Sequence, residues 1–349
     1  MDVLTLLMLF DAHLHLRIER MMDTVVPLIA SYCQAGVVEP NTALIRTAED
    51  AARHRREIKA IAARAGYPDF NPLMTILLTD DTDPADVSKW PESGVVAGKY
   101  YPAELYPHGG VSDIRRLKDV LGEMTQAKIP FSGHFERAGV HPLEAELMAL
   151  PDFYYLADNF PRLPIVFEHA STAEAIRAVM QYGARVAATI TPQHLWMTAG
   201  SVFDQNGVVS HPHNWCRPPM KTEADRAALL VAVMSGNPKF FLGSDFAPHL
   251  ESAKLAEKPA AGVANYPAML SLLATLFEQH RCLSQLKAFT SINAARFYGI
   301  KLRNKTITLE RKPFTVPESI PLLGTDGSDP TKRVIPWLTG EKLAWSLAA

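Results

Sequence analysis

Apolar, β-prone runs of four to eight residues alternate along the chain with longer stretches in which apolar residues return every three or four positions. The first kind reads as a strand buried on both faces and the second as a helix packed against it, the pattern of a parallel sheet built from strand-plus-helix units. Eight strands are predicted: Val3–Phe10, Gly36–Glu39, Pro72–Leu78, Val95–Tyr100, Pro130–Gly133, Pro164–Phe167, Val186–Ile190 and Phe240–Gly243. Helices are predicted at Thr24–Gln34, Thr47–Ala65, Asp113–Ala127, Pro142–Leu150, Thr172–Tyr182, Glu223–Met234, Tyr266–Glu278 and Leu283–Phe297. Thr47, three residues before Asp50, resembles a capping box, and Gly66 stops that helix. Eight repeats are the count of a closed (β/α)8 TIM barrel, so an α/β barrel is the expected fold. An open doubly wound sheet shares the alternation and is not excluded by the count.

Two segments break the rhythm. Thr198–Pro219 is long, aperiodic and rich in Gly, Pro, His and Asn, as functional loops are. The tail after Gly299 carries Pro313, Pro317, Pro321, Pro330 and Pro336, which predict extended backbone, with a β-prone run at Lys305–Leu309 ahead of them. The expected organisation is one barrel domain over residues 1–349, its tail from about 300 to 349 wrapping the barrel surface.

Composition narrows the function. With 35 Lys+Arg against 37 Asp+Glu, a net charge of −2 and no basic run, the 349-residue chain lacks the field that nucleic-acid or membrane-surface binding requires. The apolar start, Val3–Phe10, is too short to span a bilayer and has no basic residue before it, so it reads as a buried strand rather than a signal peptide. Three scattered cysteines, Cys33, Cys216 and Cys282, form neither a disulfide framework nor a CxxC site, which suits a reducing, cytoplasmic setting.

The chemistry lies in how the 12 histidines are placed. In Asp11-Ala12-His13-Leu14-His15-Leu16-Arg17, His13 and His15 are two apart at the end of the first predicted strand and can present both imidazoles to one metal ion. An isolated HxH is more often a pair of buried histidines, and a second one, His211 and His213 in the long loop, receives no ligand role. Position separates the two pairs. Barrel active sites are built at the C-terminal ends of strands. Here Asn41 follows strand two, Lys99 sits in strand four, His134 ends strand five, His169 ends strand six and Asp245 follows strand eight.

Lys99 has no lone pair as an ammonium and cannot ligate a cation. Its surroundings do not match a P-loop, since position 93 is Ser and position 100 is Tyr. Desolvated in a barrel, its free amine can add carbon dioxide, and the carbamate is a two-oxygen ligand able to bridge two ions. Four histidines, this carboxylated lysine and Asp245 therefore suit two divalent ions about 3.5–4 Å apart with hydroxide between them. Nitrogen and oxygen ligands favour Zn2+, though Mn2+ or Co2+ would fit. Asp245 can also carry the proton from the attacking water to a leaving nitrogen.

Together these residues resemble the amidohydrolase superfamily, and more narrowly the dihydroorotases of the shorter bacterial type. The matching segments are Asp11–Arg17, Val38–Asn41, Gly98–Ala103, Phe167–His169, Ala188–Leu195, Pro212–His213 with Trp215–Cys216, Leu242–His249 and Ala261–Val263, in order across most of the chain. The resemblance implies that His13, His15, Lys99 and Asp245 hold one zinc ion and that Lys99, His134 and His169 hold the other. It implies that Arg17, Asn41 and His249 grip a substrate carboxylate, with His134 and backbone groups near Arg217, Ala261 and Gly262 on the ring. The implied reaction is reversible opening of a cyclic amide, dihydroorotate to N-carbamoyl-aspartate, in a cytoplasmic homodimer. The chain departs from the family pattern at Ile18-Glu19, where Asp-Gly is usual. It departs again in the lid segment Glu104–His108, which lacks the usual Thr pair, and at Arg217, where an apolar residue is usual. A related imide, hydantoin or lactam hydrolase is the alternative. A catalytically silent assembly partner is disfavoured, because every expected ligand is present.

Overall fold

A computed structural model of the chain describes residues 2–105 and 109–348. Eight strands form one parallel sheet in sequential order: β1 (Leu9–Leu14), β2 (Cys33–Val38), β3 (Asn71–Leu77), β4 (Val95–Tyr100), β5 (Phe131–Gly133), β6 (Ile165–Phe167), β7 (Val186–Ile190) and β8 (Phe240–Leu242). The sheet curls until its ends meet. Asp245 N–H donates to His13 O at 3.1 Å, His15 N–H donates to Phe246 O at 3.0 Å, and a parallel bridge joins Leu14 to Phe246. The fold is the TIM barrel that the alternation predicts.

Nearly every strand residue is buried, which explains why the strands read as continuous apolar runs. Phe10 and Ala12, Ala35 and Val37, Leu73, Val166, Ala187 and Phe241 form one cluster that fills the barrel interior. A larger cluster lies between sheet and helices, joining Leu14, Val38, Met74 and Phe131 to Val25, Ile29 and Ile58. Thr47 caps the helix Ala48–Arg64 through its side chain, which accepts from Asp50 N–H; the reciprocal box forms instead at Thr222 and Asp225 ahead of Glu223–Met234.

Four predicted elements are corrected. Val3–Phe10 is two strands: Val3–Leu7 turns away from the barrel to pair antiparallel with tail strand Thr306–Glu310, and β1 begins at Leu9. Pairing with the tail, invisible locally, divides the apolar run. The β3-to-β4 crossover, where no helix is predicted, carries only a 3-10 turn, Pro84–Lys89, with Trp90 buried beside it. The helix predicted at Pro142–Leu150 instead spans Ala145–Asn159 and runs through Pro151, because burying Phe153, Leu156 and Ala157 outweighs the lost N–H. Leu283–Phe297 is broken into a 3-10 turn, a π-turn at Ala288–Ile292 and a short helix, Asn293–Phe297. Here Ser291 and Asn293 donate to Met8 O and Phe240 O under the barrel. The first helix, Glu19–Tyr32, also starts five residues earlier than the predicted Thr24 and contains Pro27.

The tail is mostly extended and anchored by aromatic side chains. Trp337 and Trp345 are fully buried, and Trp337 N–H donates to Ala264 O at 2.8 Å, bracing the segment that carries Ala261 and Gly262. Among the described residues no helix is long and apolar enough to cross a membrane.

Candidate metal centre

β1 does not leave the barrel as a regular strand. Its register against β2 shifts between Asp11 and Leu14, a bulge that re-aims the side chains at the strand's end. Asp11 fixes the bulge, accepting from His13 N–H at 3.2 Å and Ser244 N–H at 2.8 Å on one oxygen and from the Tyr266 hydroxyl at 2.9 Å on the other. As a result His13 and His15 face Asp245 across the closing seam. His13 Nε2 lies 3.2 Å from His15 Nε2 and 3.5 Å from Asp245 Oδ1, and His15 Nε2 lies 3.2 Å from the same oxygen. These three residues form a group able to hold a metal ion.

A second cluster adjoins the first. His134 Nδ1 and His169 Nε2 are 3.1 Å apart, and the His169 ring centroid is 5.1 Å from that of His13. Beneath them Lys99 is fully buried, with Nζ 3.5 Å from Glu39 Oε2 and no hydrogen-bond partner. His15 Nδ1 and His169 Nδ1 are likewise buried without a partner. The nitrogens that converge, His13 Nε2 and His15 Nε2 beside Asp245 and His134 Nδ1 beside His169 Nε2, fit the donor set of divalent cations. Arg17, His169 and Asp245 have φ of 61°, 40° and 49°, left-handed backbone that non-glycine residues adopt at a cost of about 1–3 kcal/mol and that gathers at active sites.

Electrostatics suits ligation. Burial pushes His13, His15 and His169 well below the usual imidazole range, leaving the neutral, ligating form. Burial also lifts Asp245 to about 7 and Glu39 to about 8, as expected of carboxylates awaiting a counter-charge. Two further carboxylates orient the rings. Glu168 Oε2 takes His13 Nδ1 at 2.7 Å and the Thr189 hydroxyl at 2.6 Å, while Ser132 donates to Oε1. Glu136 Oε2 stands 2.7 Å from His134 Nε2, leaving Nδ1 to face His169. Burial alone would raise the Glu136 carboxyl, but its hydrogen bond with His134 and the Arg217 guanidinium hold it below the usual range.

Sequence reasoning assigned no role to Glu39, Glu136 or Glu168. Glu136 had a signal in the alternation His134-Phe135-Glu136, the same two-residue spacing as His13 and His15. Glu168 was adjacent to a predicted ligand, whereas the meeting of Glu39 with Lys99 depends on β2 and β4, one strand apart, turning both side chains toward the same place.

The predicted anion grip forms an adjoining wall. Arg17 Nε donates to Pro248 O at 2.9 Å and Nη1 to Asn41 Oδ1 at 3.1 Å, and Nη2 lies 3.0 Å from His249 Nε2. That His249 nitrogen is also 2.9 Å from Ala261 O, so its tautomer decides whether it accepts from Arg17 or donates to Ala261. Burial and the nearby Arg17 push His249 down to about 2 and keep it neutral. The whole arrangement opens into one cavity of about 540 Å3, whose wall includes His13, His15, Arg17, Asn41, His134, His169, Arg217, Asp245, His249, Ala261 and Gly262. Lys99 is the predicted site residue that lies under this wall rather than on it. Ile18, Met21 and Leu105 form an apolar lip. Tyr106, Pro107 and His108 of the predicted lid lie outside the described residues. His211 and His213 are not on the wall.

A parallel barrel whose strand ends bring imidazoles and a carboxylate onto one cavity, above a buried lysine and beside an arginine grip, has the architecture of the amidohydrolase class of barrel enzymes. No protein-family model matches the chain. Among curated proteins, a dihydroorotase of Halorhodospira halophila is 39% identical over 357 residues, covering 99% of each chain. Among solved structures, Campylobacter jejuni dihydroorotase is 31% identical with a TM-score of 0.86, covering 100% of this chain and 98% of that one. A Saccharomyces cerevisiae dihydroorotase in complex with 5-fluoroorotic acid is 27% identical with a TM-score of 0.89, covering 100% and 99%. The chain belongs to the dihydroorotase family. An L-hydantoinase of Arthrobacter aurescens, 14% identical with a TM-score of 0.75, shares the fold alone.

Proposed function

We propose that this chain interconverts dihydroorotate and N-carbamoyl-aspartate, the ring-opening step of pyrimidine biosynthesis. One observation carries the reading: the ligand cluster and the Arg17 grip share one cavity, so a cyclic amide held by its carboxylate presents its carbonyl to the cluster. His13, His15 and Asp245 would hold one Zn2+ and His134 and His169 the other, with Lys99, carboxylated on its Nζ, shared between them. When bound, such a pair of ions supplies a nucleophilic hydroxide at neutral pH and polarises the carbonyl.

The chain's own residues do the rest. Arg17 and Asn41 fix the carboxylate, His249 joins them, and backbone groups at Arg217, Ala261 and Gly262 meet the ring, with His134 on the same wall. In the forward direction the amide C–N bond breaks, the oxygen of water remains on the former carbonyl carbon as carboxylate, and its proton travels through Asp245 to the departing nitrogen. The reading includes a cytoplasmic homodimer.

The test is turnover by enzyme that has been stripped with a chelator and reloaded with Zn2+ and bicarbonate. Dihydroorotate and carbamoyl-aspartate are assayed beside hydantoins, cyclic imides and lactams. The reading requires metal-dependent turnover of the first pair; preference for a hydantoin or an imide would replace it.

A further inference from the structure

Arg217 stands in the cavity wall, and its guanidinium reaches the buried carboxylate of Glu136. Its Nε donates to Glu136 Oε2 at 3.2 Å and its Nη2 to Oε1 at 3.5 Å, so the guanidinium spans both oxygens. The same Oε2 stands 2.7 Å from His134 Nε2. Among the described residues the Glu136 carboxylate has no other hydrogen-bond partner, so Arg217 is the second of two points that fix its plane.

The backbone on either side of this contact is rigid. On the strand side, Phe135 is buried and stacks 4.8 Å from Phe167, which fixes the segment between His134 and Glu136. On the loop side, the carbonyl of Trp215 accepts from Gly262 N–H at 2.9 Å, and Cys216 is fully buried. Rotation of the Glu136 side chain is therefore the main freedom left between loop and ligand, and Arg217 restrains it. We infer that Arg217 is a positioning residue: through Glu136 it aims the His134 ring at His169 and so sets the affinity of the second cation site. The inference rests on the metal reading proposed above. Carboxylates that orient ligating histidines are worth roughly tenfold to a hundredfold in metal affinity.

The experiment titrates metal-free protein with Zn2+ against a chromophoric chelator for the wild type, Arg217→Leu, Arg217→Lys, Glu136→Gln and the Arg217→Leu/Glu136→Gln double variant. The wild type binds two ions. Arg217→Leu keeps the tighter site and weakens the other by about tenfold to a hundredfold. Arg217→Lys loses less, and the double variant is no weaker than Glu136→Gln, because both changes break one path. With saturating metal, kcat for dihydroorotate falls in Arg217→Leu while KM holds. Arg217→Lys decides the matter should the leucine variant fail to fold. Wild-type affinity at both sites in the variants, additive losses in the double variant, or a rise in KM alone would each overturn the role of Arg217. A wild type that binds no divalent ion would instead overturn the metal reading itself.

Discussion

His13 and His15 bring their Nε2 atoms to 3.2 Å, and Glu168 already engages Nδ1 of His13. His13 Nε2 therefore carries a lone pair. His15 can donate to it only by leaving its own buried Nδ1 with a lone pair that nothing meets. A cation between the rings and Asp245 would take both Nε2 lone pairs and remove the conflict between the two nitrogens. Chelation is expected to lower thermal stability, and reloading to restore it. An ion at a hundredfold excess over its Kd contributes about 2.7 kcal/mol. Calorimetry of stripped and reloaded enzyme measures this, and Glu168→Gln should weaken Zn2+ binding by about tenfold to a hundredfold. Identical melting curves with and without metal would contradict it.

The candidate ligands were legible because barrel geometry turns strand order into spatial proximity. Once eight strands are counted, polar residues at their C-terminal ends must share one mouth, and His13, His134, His169 and Asp245 do. The details that position them were hidden for physical reasons. The bulge at Asp11–Leu14 depends on a hydroxyl from Tyr266, 255 positions away, and the division of Val3–Phe10 depends on Thr306–Glu310. Such long-range partners leave no periodicity in the local sequence. Glu136 and Glu168 lay beside predicted ligands, yet a carboxylate near a histidine says nothing of which nitrogen it will meet.

Arg17 is held on three sides, by Pro248 O, Asn41 and His249, so its fork is preorganised before any anion arrives. Arg17→Lys keeps the charge but loses the planar pair of donors. Hydrogen bonds to charged groups are worth about 1.5–3 kcal/mol, which predicts a fall in kcat/KM for dihydroorotate of about tenfold to a hundredfold. Zn2+ content should stay at the wild-type level. Steady-state kinetics with metal analysis on the same sample separates this from damage to the cluster.

Gly262 has φ of 149°, and an added Cβ would run into the Ala247 carbonyl oxygen. Gly262→Ala is expected to displace the Ala261–Gly262 segment from the cavity wall. KM for dihydroorotate should rise by about an order of magnitude or more, given strain of about 1–3 kcal/mol at such a φ. Metal affinity should be spared, since no ligand lies on that segment. A variant with unchanged KM would show that the segment does not touch substrate.

Behind that segment Lys254 ties three pieces of backbone together. Its Nζ donates to Trp215 O at 3.0 Å, Ala260 O at 2.9 Å and Gly262 O at 2.7 Å, and the residue is 3% exposed. Three carbonyl acceptors match the three N–H groups of an ammonium. Burial opposes that charge and pushes the pKa from 10.5 down to about 7. Between these values the unfolded chain binds more protons at this lysine than the folded one, so its contribution to stability increases as pH rises. Below about 7 the lysine is protonated in both states and the full cost of burying the charge is present. Lys254→Met removes the titration and leaves three carbonyls unpaired, at about 1–3 kcal/mol each. The variant should therefore be less stable than the wild type at pH 7 in urea unfolding, and the gap should widen between pH 7 and 9. A gap that stays constant over that range would mean that the three carbonyls hold the lysine charged throughout and that burial does not control its pKa.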